Sequence, residues 1–360
     1  MTSSKPQSAA VIGAGVSGLT CARALMDAGF SVQVFDKSRG VGGRLATRRA
    51  DYGTFDHGAQ YFTARDPAFK QAVDRWTAQG LVAVWSPRLA AIDATTDRAQ
   101  LATVGDSTVR HVGVPAMSQV GKSLAEGLVV HTDCQIASAQ RVDSQWHLQS
   151  GVQQASRGVA ANHDATAALG RGFDWLIAAM PSPQAADLFD SAPALRAQAI
   201  GLPMVPCWAL LLRFDTPLGL GYDAAFISGS TLTWIARNGS KPGRDSGECW
   251  VLHAARDWSE AALERSPEAV VGPMLQEFTR VTGMCSAPAL ARAHRWRYSG
   301  PAVTQSSTPT PTTPAGATCL FDPQLQAGAC GDWLAGSRVE GAFLSGSALA
   351  ARIIGQRDTG

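Results

Sequence analysis

The chain has 360 residues, 45% apolar and 17% charged, with a formal charge of +2. That is core for two or three domains, without the charge bias of a nucleic-acid or anionic-membrane binder. No apolar run reaches the ~18 residues of a membrane span, and MTSSKPQSAA enters the first strand without a signal-peptide core. Seven cysteines (Cys21, Cys134, Cys207, Cys249, Cys285, Cys319, Cys330) lack CxxC or metal-ligand spacing, which predicts free thiols, a reducing cytoplasm, no metal and no disulfide-reductase chemistry.

Residues 10–44, AVIGAGVSGLTCARALMDAGFSVQVFDKSRGVGGR, spell strand, glycine turn, helix, strand and a second glycine turn. In the GxGxxG turn, Gly13 permits the tight bend, Gly15 lets a pyrophosphate approach, and Gly18 lets helix pack on strand. Val16 and Ser17 open the helix, whose N–H groups and dipole favour phosphate. Asp36 follows the second strand at the acidic ribose position, with Lys37 beside it. Gly42-Gly43-Arg44 resembles the GG motif of FAD enzymes of the amine-oxidase class, so FAD is the expected cofactor. Arg44 would bring a fixed cation to its pyrophosphate.

Next, DYGTFDHGAQYFTARD (51–66) predicts a loop that feeds an amphipathic helix over 67–79, capped by Asp66. Gly58-Ala59-Gln60-Tyr61-Phe62 would let backbone lie close to a flat ring, with aromatics beside it. Residues 81–108 hold short strands, 118–126 a helix, and 128–149 an antiparallel hairpin, in which Gln135 and Ile136 are plain structure or, as the resemblance to FAD enzymes implies, an adenine contact. The Ala/Gly/Ser-rich stretch 151–172 is expected on the surface, with His163 and Asp164 solvated rather than metal-bound.

FDWLIAAM (173–180) predicts a buried strand ended by Pro181 and Pro183. Beyond it, VPCWALLLRF, AFISG, TLTWIAR and CWVLHAA predict an antiparallel sheet, covered by helices at 259–264 and 267–282. Trp208, Trp234 and Trp250 are either core or an aromatic wall. The polar turn 237–244 is either a solvated tip or a phosphate clamp built from Arg237, Lys241 and Arg244. His253 and His294 are expected as interior hydrogen-bonded histidines, and the Pro/Thr/Ser stretch 299–318 as a returning loop. At the C-terminus, Leu320-Phe321 form a strand and Val339-Glu340-Gly341-Ala342 start a helix with an apolar side.

Four strings carry a resemblance over nearly the whole length: DKSRGVGGR; DHGAQYFTARD; WIARNGSKPGRD with CWVLHA; and CGDWLAGSRVEGAFLSGSALAARI. They resemble bacterial renalases, flavoproteins related in fold to monoamine oxidases and p-hydroxybenzoate hydroxylase. The segment HVGVPAM (111–117) resembles the VGxPxM of that family. The implied fold is α/β, a Rossmann-type FAD-binding domain of the amine-oxidase class with a second, mainly antiparallel β plus α substrate domain. The expected boundaries are 1–78, 109–180 and 318–360 for the first, and 79–108 and 181–317 for the second.

The implied cofactor is noncovalent FAD, held by Gly13, Gly15, Val16, Ser17, Gly18, Asp36 and Lys37, with Gly43 and Arg44. Ala59, Gln60 and Gln135 would add to that set. At the far end of the chain Asp332, Val339 and Glu340 would complete it, the last helix aiming its dipole at the flavin pyrimidine edge. The substrate would meet Tyr61, Phe62, Thr63, Ala64, Arg65 and Trp208.

The implied activity is oxidation of 2- or 6-dihydro isomers of NAD(P)H, with hydride passing to flavin N5 and dioxygen becoming hydrogen peroxide. Recovery of aromaticity drives that step, so positioning matters more than an acid–base pair. His57 departs from the family, which carries an apolar or small residue there, and bears on isomer preference. The alternatives are an amine oxidase or desaturase-like flavoprotein, and a flavin-binding sensor without turnover. A pyridine-nucleotide reductase is disfavoured, since a second GxGxxG and a redox dithiol are both lacking.

Overall fold

A computed structural model of the chain describes residues 6–50, 53–96, 100–105, 107–151, 163–244, 247–302 and 317–357. Residues 152–162 of the stretch 151–172 and 303–316 of the stretch 299–318 therefore lie outside the described residues. The first elements are β1 (Ser8–Ile12), α1 (Val16–Asp27), β2 (Ser31–Phe35), β3 (Thr47–Ala50), β4 (Gly53–Asp56) and α2 (Pro67–Ala78). Pro67 begins α2, and the Asp66 carboxylate accepts from the N–H groups of Ala68 and Phe69, as its cap position predicts. There follow β5 (Val82–Trp85), β6 (Leu89–Asp93), β7 (Gln100–Thr103), β8 (Arg110–Gly113) and α3 (Ser118–Ala125).

The middle of the chain forms β9 (Val129–His131), β10 (Ile136–Val142), β11 (Gln145–Ser150), α4 (His163–Leu169), β12 (Trp175–Ala178), α5 (Ser182–Leu188) and α6 (Pro193–Ile200). Then come β13 (Met204–Phe214), β14 (Ala224–Ser228), β15 (Leu232–Arg237), β16 (Glu248–Ala254), α7 (Arg256–Ala261), α8 (Pro267–Thr282) and β17 (Leu290–Pro301). The chain closes with β18 (Leu320–Asp322), β19 (Ala327–Ala329) and α9 (Val339–Arg357).

Two compact units result. The first comprises residues 1–43, 121–204 and 300–360. Its six-stranded sheet runs β18-β19-β12-β1-β2-β9, parallel except at β18–β19. β9 joins it as a parallel edge strand, so the hairpin expected over 128–149 is confined to β10 and β11. Helices α5 and α6 bury Ala185, Leu188, Phe189 and Leu195 in this unit's core, together with Trp146 and Phe173.

The second unit comprises 44–120 and 205–299. Its seven-stranded sheet runs β17-β13-β16-β15-β14-β6-β7, with β14–β6 parallel and the pairs β13–β16, β15–β16, β14–β15 and β6–β7 antiparallel. Residues 44–78 and 109–120 thus fall in the second unit and 181–204 in the first: Phe55 packs under β13 and β16, β8 pairs with β5, and α5 and α6 bury their apolar side chains in the first unit's core. Strand alternation divides the sheet into two faces. One face carries Trp208, Leu210, Leu212, Trp250 and Leu252 into a core with Val270, Met274 and Phe278 of α8. The other carries Leu211, Cys249 and Val251 against Phe55 of β4. All seven cysteines are free; Cys207 is half-buried, Cys285 is exposed, and the other five are buried. Among the described residues no helix is long and apolar enough to cross a membrane.

Candidate functional site

In the first unit the glycine turn builds a cradle. Gly13 has φ +116°, and a Cβ there would stand 2.2 Å from the Ala179 carbonyl oxygen, so only glycine fits between β1 and the end of β12. A Cβ on Gly18 would lie 2.1 Å from the Gly13 carbonyl oxygen, which seats α1 on the turn. Gly15 is different: a Cβ there meets nothing within 4 Å. Gly15 also caps α1 without a side-chain hydrogen bond, so no side chain caps the amides at the helix start. The second glycine turn closes over the first, with the Gly42 N–H donating to the Ala14 carbonyl at 2.8 Å. Asp36 accepts from the Ala14 N–H at 2.6 Å and the Ser38 N–H at 2.7 Å, while Lys37 points to solvent. An open glycine backbone at a helix start is the arrangement a dinucleotide phosphate requires, so these residues fit a nucleotide cofactor.

The remaining first-unit positions are placed as follows. Val16 and Ser17 are buried in the first turn of α1. Asp332 and Glu340 are buried, Val339 is half-buried at the start of α9, and Gln135 is exposed. Gly331 is held by its N–H donating to Ser345 Oγ at 2.9 Å, and a Cβ on Gly346 would stand 2.2 Å from the Ser17 carbonyl oxygen, so α9 crosses α1 backbone to backbone.

In the second unit a buried charge cluster lies under the segment Asp56 to Tyr61. Asp56 is fully buried, and its Oδ2 accepts from Arg244 at 2.6 Å (Nη2) and 3.1 Å (Nε) and from Lys241 Nζ at 3.4 Å. Its Oδ1 accepts from Thr47 Oγ1 at 2.6 Å and the Met117 N–H at 3.1 Å. Burial pushes the Asp56 carboxyl up, but Lys241 and Arg244 outweigh it and hold the group below the usual carboxylate range. Lys241 is pushed down to about 8 by burial, which Asp56 only partly offsets. One carboxylate thus faces two buried cations.

The turn 237–244, open between a solvated tip and a phosphate clamp, is instead tied inward. Lys241 and Arg244 are buried against Asp56, and Arg237 donates to Asp223 at 2.6 Å. Lys241 and Arg244 serve the interior because burial obliges them to be paired, while Arg237, with its side chain 32% exposed, is engaged by Asp223. Gln60 is also committed: its Oε1 accepts from Lys241 at 3.2 Å and its Nε2 donates to the carbonyls of Asp56 and Gly58. Ala59 donates to the Arg44 carbonyl at 2.9 Å, and a Cβ on Gly58 would stand 2.0 Å from that same oxygen. The Arg44 guanidinium donates to the Ser299 carbonyl at 2.9 Å.

Tyr61 joins an aromatic group with Trp85 (6.1 Å between centroids) and Trp234 (5.8 Å), and Phe226 lies 4.8 Å from Trp234. Arg110 stands over the Tyr61 ring at 5.2 Å and Lys241 Nζ over Trp85 at 5.5 Å. Phe62 is only 3% exposed and packs on Phe69 and His111, which corrects its expected place beside the substrate. Thr63 and Ala64 are half-buried and Arg65 is exposed.

Trp208 departs from its expected place as well. It is fully buried on the helix-covered face, and its Nε1 donates to the Ala262 carbonyl at 3.1 Å. Trp234 takes the opposite face instead. In β15 the register slips between Leu232, opposite Ala254, and Trp234, opposite His253, leaving Thr233 as an extra residue. Strict alternation would place Trp234 with Leu232 in the core; the bulge turns it over. Trp85, Arg110 and Phe226 were missed, and the only signal for them was the apolar alternation of their strands.

Beside this group stand three imidazoles. His57 contacts His294 at 4.6 Å and Trp296 at 5.1 Å between centroids, and its carbonyl accepts from Trp296 Nε1 at 2.9 Å. His253 Nε2 lies 3.2 Å from that same carbonyl oxygen. Burial, then His294 and Arg48, push His57 down to about 3; burial likewise pushes His294 and His253 down to about 4. All three are therefore neutral near pH 7. No cluster of His, Cys, Asp or Glu among the described residues can hold a metal ion.

The comparisons agree with this architecture. The profile of the flavin-containing amine oxidoreductases matches residues 78–354, more than half of the chain, and that of the NAD(P)-binding Rossmann-like domain matches residues 11–76. The chain belongs to the flavin-containing amine oxidoreductase family. Flavin is accordingly its cofactor, and it is an oxidoreductase. Cyclohexylamine oxidase from Brevibacterium oxydans superposes with a TM-score of 0.74 at 13% identity, covering 98% of this chain and 100% of that one. Wild-type putrescine oxidase bound to putrescine gives 0.67 at 14% identity, covering 98% and 99%. These likenesses establish the fold alone. In sequence, 4,4'-diapolycopene oxygenase from Methylomonas sp. is 46% identical over 63 residues, which spans 18% of this chain and 13% of that protein.

Proposed function

We propose that the protein is a renalase-like oxidase with noncovalent FAD, which takes 2- or 6-dihydro isomers of NAD(P)H to NAD(P)+ with dioxygen as acceptor. Residues Gly13 to Gly18, Asp36 and Arg44 would hold the FAD, and a reducing cytoplasm is the proposed setting for its seven free thiols. The observation that carries the substrate class is the charge surplus in the second unit. Two buried cations face one carboxylate, and the ring faces of Tyr61 and Trp85 are themselves covered by Arg110 and Lys241. An ammonium substrate needs free ring faces or a spare carboxylate to replace its water. Near a surplus buried charge it would instead lose about 2 kcal/mol at ~7 Å with an effective dielectric of ~20. An uncharged ring on an anionic dinucleotide meets no such penalty.

Bound flavin supplies a two-electron acceptor that dioxygen reoxidises. The chain's own side chains would hold a flat ring between aromatic walls and exclude water. A dihydropyridine becomes aromatic by losing hydride alone, so no general base is needed, which suits three imidazoles that stay neutral. An amine substrate is the second reading, favoured by the aromatic group of Tyr61, Trp85, Trp234 and Phe226. Anaerobic mixing with each dihydro-NAD isomer decides: bleaching of the flavin's visible band and release of NAD+ are expected. Protein that stays yellow with every isomer but bleaches with cyclohexylamine or putrescine overturns the proposal.

A further inference from the structure

Six indoles of this chain find acceptors. Trp85 Nε1 donates to Ser240, Trp146 to Leu325, Trp208 to Ala262, Trp250 to Glu248, Trp296 to His57 and Trp333 to Met180. Trp234 does not. It is only 6% exposed, and its Nε1 has no hydrogen-bond partner among the described residues. A buried donor left unsatisfied costs about 1–3 kcal/mol, so it calls for a partner that the fold itself does not supply. Trp175, in the first unit, shares this property but lies stacked on Phe321 within a core strand.

The surroundings of Trp234 indicate what would complete it. Its neighbours are the rings of Tyr61, Trp85 and Phe226, which form flat apolar walls. Phe226 is 41% exposed, so the group reaches solvent. The bulge at Thr233 puts the indole on this face against the strand's own alternation. An indole N–H only donates, so its partner must be an acceptor, and an ammonium group cannot serve.

We propose that Trp234 is a specificity-determining residue whose indole N–H donates to a carbonyl oxygen borne by a flat substrate ring, the carboxamide of a nicotinamide. This rests on the substrate class proposed above. Nicotinamide and pyridine differ only in the carboxamide, so they separate the hydrogen bond from ring packing.

Calorimetric titration of the holoprotein tests it. Wild type should bind nicotinamide more tightly than pyridine. Trp234→Phe should weaken nicotinamide roughly 5- to 30-fold and leave pyridine unchanged. Trp234→His, which returns a ring N–H, should regain part of the loss, with flavin content confirming that both variants fold. Equal binding of the two ligands by wild type, as when water completes the indole, overturns the proposal, and so does an equal loss of both in Trp234→Phe. If no dihydronicotinamide bleaches the flavin while nicotinamide binding still depends on Trp234, the proposed reaction fails and the amide subsite stands.

Discussion

Asp56 shows how much one side chain can be asked to hold. Its two oxygens accept five hydrogen bonds, two from Arg244 and one each from Lys241, Thr47 and Met117. Asp56→Asn leaves two cations in the interior with no anion, a loss of about 3–5 kcal/mol. Lys241→Met removes the surplus cation and leaves Arg244 paired, so it should cost less than half as much. Urea unfolding at pH 7 checks the ranking, and equal losses would show that the second cation is not surplus. The pH dependence carries a sign. Lys241 titrates at about 8 when folded against about 10.5 unfolded, so between those values the unfolded chain binds more protons and wild type gains stability as pH rises. Lys241→Met should lack that gain.

The elements were legible to different depths. The glycine turn, α1 and β2 follow from spacing alone, because a GxGxxG turn admits few backbones. The cap of α2 follows likewise from Asp66. Trp208 was within reach too: in VPCWALLLRF it shares parity with Leu210, Leu212 and Phe214, the helix-covered face. Trp234 was not, since the slip at Thr233 depends on pairing with a strand about twenty residues away. The Asp56 cluster joins residues more than 180 positions apart, beyond any local pattern. Parallel addition of β9 was hidden for the same reason.

The close crossing of α1 and α9 yields a prediction at this scale. Gly346→Ala would drive a methyl into the Ser17 carbonyl and should cost roughly 1–3 kcal/mol and lower flavin content. Gly355→Ala, on the same helix with nothing within 4 Å, should be neutral or stabilising by up to about 1 kcal/mol. Thermal melts and the ratio of visible to ultraviolet absorbance measure both. Comparable losses would mean that helix propensity, not proximity, governs the site.

At the scale of the whole molecule, the three imidazoles make acid stability a cooperative property. Their folded values, about 3 for His57 and about 4 for His253 and His294, lie below the ordinary 6.5. From pH 6.5 down to about 4 the unfolded chain therefore binds protons that the folded chain refuses, and stability falls with pH. Each group contributes up to about 1.4 kcal/mol per pH unit in that window. The urea midpoint should drop steeply between pH 6.5 and 4, and His57→Phe should flatten the slope by about one proton. A midpoint flat across the window would show the rings charged in the fold.

The uneven shielding of the thiols has a practical consequence. Cys285, just past α8 in the second unit, is the one cysteine open to water, so a maleimide dye should couple there alone under brief native labelling. A fluorophore at that position would report the tumbling and melting of the second unit by its own anisotropy. The yellow chromophore would remain free to report on the nucleotide cradle independently.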